Sequence, residues 1–310
     1  MLYRALATRR RLALTLAAAI AVLAVAAGLL IAADGGSIAG IAGGGGQWRT
    51  AWSASFAGPA GSKVSPQAWR YETGNGGFGN GEVETMTDSA NNVFLDGRGD
   101  LDLAAIYQGT LWTSGRIVST RQFAAPAGGE MMVSASIQQP TTAGALGYWP
   151  AFWLLGSGSW PADGEIDIME DVNGLSQNAG TLHCGNLTQH NADGSFGPCH
   201  EYTGLSSGLR PCPDCQQGYQ TYSVIVDRRD AANEQIRWYL NGHEYFSVSE
   251  SRVGAAVWAP AVNHAFSIIV DLAMGGTYPQ DQCHCTAPDS QTSTGGVLSV
   301  HSVTVSYANG

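Results

Sequence analysis

Charged side chains are scarce in this 310-residue sequence, because Asp, Glu, Lys and Arg make up 13% of it, against a usual share of roughly 25%. Basic residues are the scarcer sign, with 15 against 25 acidic residues and a formal charge of −10. Residues 1–33 hold four of the arginines and no acid, so the remainder has 11 basic and 25 acidic residues, a formal charge of −14. A domain this acidic is unsuited to binding nucleic acid through its phosphates and suits a neutral partner better.

Helical periodicity is also lacking after the N-terminal segment. The 41 Gly and 12 Pro are too many for a helical bundle, and the glycines follow no three-residue period, which excludes collagen. Hydrophobic residues make up 44%, enough for a sizeable core, and they occur in short alternating runs between turn residues. One pair of runs flanks Asn241-Gly242, a dipeptide typical of a tight type I′ hairpin. The sequence therefore predicts an all-β fold, a single sandwich of two antiparallel sheets over residues 48–310 without internal repeats.

The N-terminal segment has the pattern of an export signal. Four arginines in residues 4–11 precede 22 uncharged, mostly apolar residues, from Leu12 to Ala33. Residues 1–33 are expected to be a cleaved signal peptide or, because the run is long enough, a retained membrane anchor. In both cases the rest of the chain lies outside the cytoplasm, secreted or anchored to the membrane. Residues 34–47 are interpreted as a Gly-rich spacer.

The six cysteines agree with export, since an even number in an exported chain favours disulfides. We expect Cys184–Cys199 and Cys212–Cys215 to pair. A disulfide between Cys283 and Cys285 is left open, because a Cys-x-Cys bridge is strained. The alternative is a zinc site built from all four cysteines of these last two pairs.

Three acidic residues mark the candidate chemistry. Side chains at i and i+2 of a strand point to the same face, so Glu165 and Asp167 share a face. Glu170 is three positions beyond Asp167 and would point the other way on a regular strand. One extra residue, a β-bulge at Ile168 or Met169, would bring all three carboxylates to one face. The competing interpretation is a row of solvated acids on an exposed strand.

Tryptophans beside the acids favour a sugar site. Trp149 and Trp153 precede Glu165 and are four residues apart, which places them on one strand face. Indole rings stack on the apolar faces of sugar rings, and two carboxylates can cleave a glycosidic bond with retention of configuration. The carboxylate between them can set their pKa values apart.

The hexapeptide Glu-Ile-Asp-Ile-Met-Glu at residues 165–170 resembles the active-site signature of glycoside hydrolase family 16 in its bulged, laminarinase-like form. Further blocks similar to bacterial endo-β-1,3-glucanases follow the family's order: FGNGEVE at 78–84, TSGRI at 113–117, WPAFWLLG at 149–156, TLH at 181–183 and DLAMGGTYP at 271–279. The resemblance implies a concanavalin-like jelly roll with a concave substrate cleft. It also implies a retaining endo-glycosidase that hydrolyses β-1,3-glucan such as laminarin.

Residue roles follow from the same resemblance. Glu165 matches the nucleophile, Glu170 the general acid/base and Asp167 the assisting carboxylate. Trp149 and Trp153 match an aromatic wall near the cleaved sugar. Polar positions near the substrate are matched by His183, Asn80, Glu82 and Arg116, for which structural roles such as a buried Arg116–Glu82 pair are the alternative.

Several properties stay open at this stage. The same machinery could act on mixed-linkage glucan, galactan or agar, or transfer the sugar to another sugar, and a non-catalytic carbohydrate-binding surface protein is the alternative from another class. No cofactor and no catalytic metal are expected. A structural calcium is doubtful, because Val300 to Val303 and Ser53 to Phe56 lack the acidic ligands that many relatives have there. The expected partner is a polysaccharide, with no nucleic acid, and the protein is expected to be a monomer.

Overall fold

The computed structural model describes residues 47–309 of the chain. The predicted signal or anchor (1–33) and residues 34–46 of the predicted spacer lie outside the described residues. Among the residues described, no helix combines the length and the apolar character needed to span a bilayer.

Strands dominate the described part of the chain, which holds two short helices, α1 (Ala255–Val262) and α2 (Thr277–Cys283), and two single 3-10 turns (Gly77–Gly79 and Glu250–Arg252). The strands are β1 (Arg49–Ser55), β2 (Trp69–Tyr71), β3 (Glu84–Met86), β4 (Val93–Leu95), β5 (Leu101–Gln108), β6 (Leu111–Ser114), β7 (Arg116–Phe123), β8 (Gly129–Gln138), β9 (Tyr148–Leu155), β10 (Glu165–Glu170), β11 (Gln177–His183), β12 (Leu205–Ser206), β13 (Arg210–Pro211), β14 (Gln220–Asp227), β15 (Gln235–Leu240), β16 (His243–Ser249), β17 (Phe266–Met274) and β18 (Gly296–Asn309).

These strands form two sheets, as the sequence predicted. The first has the order β16-β15-β14-β8-β18-β5-β6-β3, with β1 also paired to β18 and β4 to β5. The second has the order β12-β11-β10-β9-β17-β7-β2, with β13 also paired to β11. Neighbouring strands are antiparallel except for β3 and β6. The predicted hairpin is confirmed: Asn241 and Gly242 have φ of 52° and 78° between β15 and β16, as a type I′ turn requires.

Alternation along β9 shows how the second sheet divides its two faces. Phe152 and Leu154 are buried in the core between the sheets, whereas Trp149 and Trp153 are half-buried on the opposite face. Strand β9 lies between β10 and β17, so the outer face of the sheet presents the two tryptophans beside the acids of β10. The candidate site is therefore carried by regular strands with a packed core behind them.

All six cysteines form disulfides: Cys184–Cys199, Cys212–Cys215 and Cys283–Cys285. The first two are the predicted pairs, and the third answers the question that the sequence left open. The zinc alternative is wrong for this structure, because no free thiol remains to bind a metal. Residues 184–204 connect β11 to β12, and we call this segment the insert. The Cys184–Cys199 disulfide lies within it and begins next to His183.

Candidate active site

A bulge in β10 brings the acids together, as predicted from their spacing. Against β9, the register passes from Asp167 opposite Trp153 to Met169 opposite Phe152, so Ile168 is the extra residue. Against β11, Asp167 and Glu170 pair with residues only two apart, Thr181 and Ala179. The bulge therefore restores the parity of Glu170 with Asp167 and Glu165.

The first sheet supports the bulge from behind. A bulge frees backbone groups from the strand ladder, and the buried indole of Trp238 on β15 donates a hydrogen bond to the backbone oxygen of Asp167 (2.7 Å). Gly180 on β11 gives the indole its space, because a Cβ at this position would overlap the ring. Neither residue was predicted to take part in the site, since each acts on the backbone from across the sandwich.

Glu170 lies in a closed environment beside the first tryptophan. It is 9% exposed, and Trp149 Nε1 donates a hydrogen bond to its Oε1 (2.9 Å). Burial raises the pKa of Glu170 well above its ordinary value and the Asp167 carboxylate adds to the rise, whereas the Trp149 hydrogen bond opposes it. This environment favours the protonated form of the Glu170 carboxyl group.

Glu165 is in a similar environment with one difference. Its side chain is 18% exposed, and burial and the Asp167 carboxylate both raise its pKa. His183 opposes this rise, because its Nε2 lies 3.8 Å from a Glu165 oxygen. Two carboxyl groups on one strand thus have different neighbours, an imidazole beside Glu165 and an indole beside Glu170.

His183 joins the acids to a fourth carboxylate. Its Nε2 is 3.4 Å from Asp167 Oδ2, and its Nδ1 is 2.6 Å from an oxygen of Glu201. Burial lowers the pKa of His183, but hydrogen bonds with Asp167 and Glu201 outweigh it, and the pKa lies well above its ordinary value. Glu201 is a buried partner that the sequence analysis missed, and no spacing pattern pointed to it.

Glu165, Asp167 and His183 are the residues nearest to a cation-binding arrangement, with one ligand atom from each within 4.8 Å of one another. We do not interpret them as metal ligands. Nδ1 of His183 already has a carboxylate partner in Glu201 (2.6 Å), and the raised pKa of the ring favours its protonated form, which opposes metal binding.

Trp153 and Arg116 extend the outer face toward β17 and β7. Trp153 Nε1 donates a hydrogen bond to Asp271 Oδ1 (2.7 Å), and the Arg116 guanidinium lies 4.8 Å from the Trp153 ring and 4.6 Å from the Phe78 ring. The pairing considered between Arg116 and Glu82 is wrong, because Arg116 Nε donates to an oxygen of Glu72 (2.6 Å). Asp271 lies in the quoted DLAMGGTYP block, where its acidic character was a signal that the analysis passed over.

Asn80 and Glu82 lie at the far side of this face. Asn80 is exposed and its Nδ2 donates to Glu82 Oε1 (3.3 Å), while the Glu82 backbone bridges to Gly275. Burial raises the pKa of Glu82 to about 8, with a further contribution from the Asp271 charge. The structure therefore places Asn80 and Glu82 near Asp271 and Arg116 rather than beside the three acids.

An aromatic pair beside His183 was also missed. The ring of Trp160 lies 5.6 Å from that of His183 and stacks on Tyr202 at 5.8 Å, and both aromatic side chains are exposed. Trp160 lies between Trp153 and Glu165 in the sequence, whereas Tyr202 belongs to the insert and follows Glu201 directly.

Comparison with known proteins identifies the group to which these features belong. The family model described as the XgeA-like, catalytic GH16 domain matches residues 104–229. A beta-glucanase of Rhodothermus marinus is 28% identical over 249 residues, which cover 76% of this chain and 78% of that protein.

Solved structures extend the match. The endo-1,3-beta-glucanase from Streptomyces sioyaensis is 39% identical over 87% of this chain and 99% of its own, with a TM-score of 0.78. The endo-beta-1,3-glucanase from Pyrococcus furiosus is 27% identical over 85% of this chain and 96% of its own, with a TM-score of 0.66. The predicted jelly-roll sandwich is confirmed, and the chain belongs to glycoside hydrolase family 16 and is a glycoside hydrolase.

Proposed function

We propose that this protein is an exported, retaining endo-glycosidase that hydrolyses β-1,3-glucan of the laminarin type. The observation that carries the proposal is the bulge at Ile168, which gathers Glu165, Asp167 and Glu170 on the face that also presents Trp149 and Trp153. The relatives named as endo-1,3-beta-glucanases support the choice of substrate.

In the proposed reaction, Glu165 attacks the anomeric carbon while Glu170 gives its proton to the departing glycosidic oxygen. The bond from the anomeric carbon to that oxygen breaks, and a glycosyl ester forms on Glu165. Glu170, now a carboxylate, takes a proton from water, whose oxygen attacks the same carbon and releases Glu165. Two inversions leave the configuration of the sugar unchanged.

The surroundings of the two glutamates support this division of roles. His183 favours the ionised form of Glu165, which a nucleophile requires, and its Nε2 lies 3.8 Å from that carboxyl group. Burial favours the protonated form of Glu170, which a general acid requires. Asp167 lies between them, and its negative charge favours the neutral form of both glutamates. Its Oδ2 lies 3.4 Å from Nε2 of His183.

We assign the remaining candidates to substrate contacts. Trp149 and Trp153 offer partly exposed indole faces on which sugar rings can stack, and both are fixed by hydrogen bonds to carboxylates. Arg116, Asn80 and Glu82 are proposed to contact sugar units farther from the cleaved bond, since they lie beyond Trp153. No metal or organic cofactor enters the proposed reaction.

Rescue with azide tests the roles of the two glutamates separately. Glu165→Ala and Glu170→Ala should each lower kcat on laminarin by several powers of ten. On an aryl β-glycoside of a laminarin oligosaccharide, whose leaving group needs no proton, azide should then restore turnover with opposite products, an α-glycosyl azide for Glu165→Ala and a β-glycosyl azide for Glu170→Ala. Glu234→Ala is the control, because Glu234 is a buried glutamate that bonds Trp258 and Arg228 and none of the candidate site residues. Full activity of both active-site variants without azide would refute the assignment.

A panel of laminarin, lichenan, agarose and galactan tests the substrate. Laminarin should give oligosaccharides of decreasing length, and NMR should show the β-anomer first. Faster cleavage of another polymer would show that the same catalytic residues act on that polymer instead of β-1,3-glucan. Binding to a polymer without any product would instead support a non-catalytic surface protein.

The proposed location has its own test. We assign residues 1–33 to an export signal or anchor, 34–47 to a spacer and 48–310 to the catalytic domain, which acts as a monomer outside the cytoplasm. Expression of the full chain followed by fractionation and N-terminal sequencing distinguishes the outcomes. A shortened protein in the medium indicates cleavage, the full chain in the membrane indicates an anchor, and protein confined to the cytoplasm would refute export.

A further inference from the structure

Glu201 is a buried carboxylate whose two oxygens both have partners at the end of β11. One oxygen lies 2.6 Å from Nδ1 of His183, and the other accepts a hydrogen bond from the backbone N–H of Cys184 (2.9 Å). The residue is 1% exposed, so these bonds form away from water. A carboxylate at this depth is stable only when it is well paired, and here one partner is the imidazole of His183.

The insert holds Glu201 firmly in this place. Its backbone N–H and C=O exchange two hydrogen bonds with Phe196 (2.8 Å each). The Cys184–Cys199 disulfide joins the residue after His183 to the residue two positions before Glu201. The segments that carry the two side chains are therefore linked covalently as well as by hydrogen bonds.

His183 faces acidic groups on both of its ring nitrogens. Glu201 approaches Nδ1 from the insert, whereas Asp167 and Glu165 approach Nε2 from β10, with Glu170 farther along the same strand. A neutral ring with its one proton on Nδ1 would donate a hydrogen bond to Glu201. Its unprotonated Nε2 would then face the carboxyl groups of Asp167 and Glu165. A ring protonated on both nitrogens presents an N–H to carboxyl oxygens on both sides, 2.6 Å from Nδ1 and 3.4 and 3.8 Å from Nε2.

We propose that Glu201 is a positioning residue that fixes the ring of His183 and keeps it doubly protonated, so that Nε2–H is directed at Asp167 and Glu165. Glu201 touches no substrate in this role and acts only through His183. The cation then favours the ionised form of Glu165. This catalytic consequence rests on the proposed function, whereas the state of the His183 ring does not.

Nitrogen-15 NMR of the histidine rings in the full chain measures that state directly, without substrate. His183, assigned by comparison with His183→Asn, should give two protonated ring nitrogens at pH 7 in the unsubstituted protein. In Glu201→Gln its pKa should fall by about one unit or more, because an opposite charge at this distance shifts a pKa by about 1–3 units. Glu234→Gln is the matched control, a buried glutamate whose two hydrogen bonds join Trp258 and Arg228 and not His183.

Kinetics on laminarin give the second readout. Glu201→Gln should lower kcat about 10- to 100-fold with little change in KM, since it displaces a group beside the reacting atoms without touching the sugar. The acidic limb of the pH profile should move to higher pH, because Glu165 loses the neighbouring cation that favours its ionised form. Glu201→Asp retains the charge and should recover part of kcat and of the limb, whereas Glu234→Gln should leave both unchanged.

Three outcomes would overturn the proposal. His183 could carry a single ring proton at pH 7 in the unsubstituted protein, a measurement that needs no variant to fold. Folded Glu201→Gln could show the His183 pKa of the unsubstituted protein. Glu201→Gln could also retain the pH profile and lose only thermal stability, as a purely structural residue would. If the unsubstituted protein cleaves no glycan but its His183 behaves as expected, the proposed function fails and the positioning role stands.

Discussion

Replacing Trp238 with Phe tests whether the hydrogen bond to the bulge matters for catalysis. The substitution keeps an aromatic ring in the core but removes the N–H that reaches the backbone oxygen of Asp167 (2.7 Å). The indole is fully buried, so this hydrogen bond forms in the core, next to the bulge. The variant therefore leaves a buried carbonyl without its partner.

The expected loss of stability follows from two contributions. An unpaired buried acceptor costs about 1–3 kcal/mol, and the cavity left by the smaller ring adds about 1 kcal/mol. A protein of this size loses about 2–4 °C of Tm for each kcal/mol, so Tm should fall by roughly 4–16 °C. Since Asp167 lies between the two glutamates, relaxation of its backbone should also lower kcat at least about tenfold.

Trp258→Phe is a closely matched control. Trp258 is also buried, but its indole donates its hydrogen bond to the side chain of Glu234 (2.8 Å) and not to the backbone of β10. Thermal melts and laminarin kinetics at a temperature well below both transitions separate the effects. Both variants should lose stability, and only Trp238→Phe should lose kcat. An unchanged kcat in a folded Trp238→Phe variant would refute the idea that this bond positions Asp167.

Three further predictions concern the same region. The added methyl group of Gly180→Ala should overlap the Trp238 indole, destabilise the fold by about 1–3 kcal/mol and lower kcat. Gly218→Ala is the control, because its position has open space, and it should change neither the melting temperature nor kcat. Trp149→Phe removes the hydrogen bond that opposes the rise in the pKa of Glu170, so the alkaline limb of kcat/KM should move to higher pH, whereas Trp153→Phe, whose indole bonds Asp271, should leave that limb in place and raise KM. Burial raises the pKa of Asp171 from 3.8 to about 7, so the folded state binds this proton more tightly than the unfolded state. The stability that this proton contributes is complete below pH 3.8 and is lost as the pH rises through 7. Melts between pH 4 and 8 should show a decline of at most about 1.4 kcal/mol per pH unit for this proton, and Asp171→Asn should remove its share; an unchanged slope in that variant would contradict the prediction.

The bulge was predictable because a strand has a fixed period of two. Three acids at positions 165, 167 and 170 cannot share a face on a regular strand, so a shared function required an extra residue at 168 or 169. The structure has it at Ile168. The hairpin at Asn241-Gly242 was predictable for a similar reason, since the dipeptide tolerates the positive φ angles of its turn.

Contacts between distant segments could not be read in this way. Trp238 reaches Asp167 from the opposite sheet, and nothing in either local pattern specifies how β15 and β10 face each other. Arg116 was considered as a partner of Glu82, ten residues beyond Glu72, and the structure pairs it with Glu72. The two-residue period of a strand identifies the sheet face on which a side chain lies. The partner of that side chain depends on which strands become neighbours and in what register.

Burial decides between the two interpretations of the acidic row that the sequence left open. Solvated acids on an exposed strand would have pKa values near their ordinary range and would need neither a bulge nor an indole behind it. Instead Asp167 and Glu170 are 4% and 9% exposed, and a further carboxylate, Glu201, is buried behind His183. Placing like charges together in a poorly hydrated site lowers stability, because desolvation and mutual repulsion both oppose ionisation. The fold nevertheless collects these groups around one imidazole, which supports the proposed proton transfer and nucleophilic attack. The pH profiles of the Glu201 and Trp149 variants measure how far that chemistry depends on each neighbour.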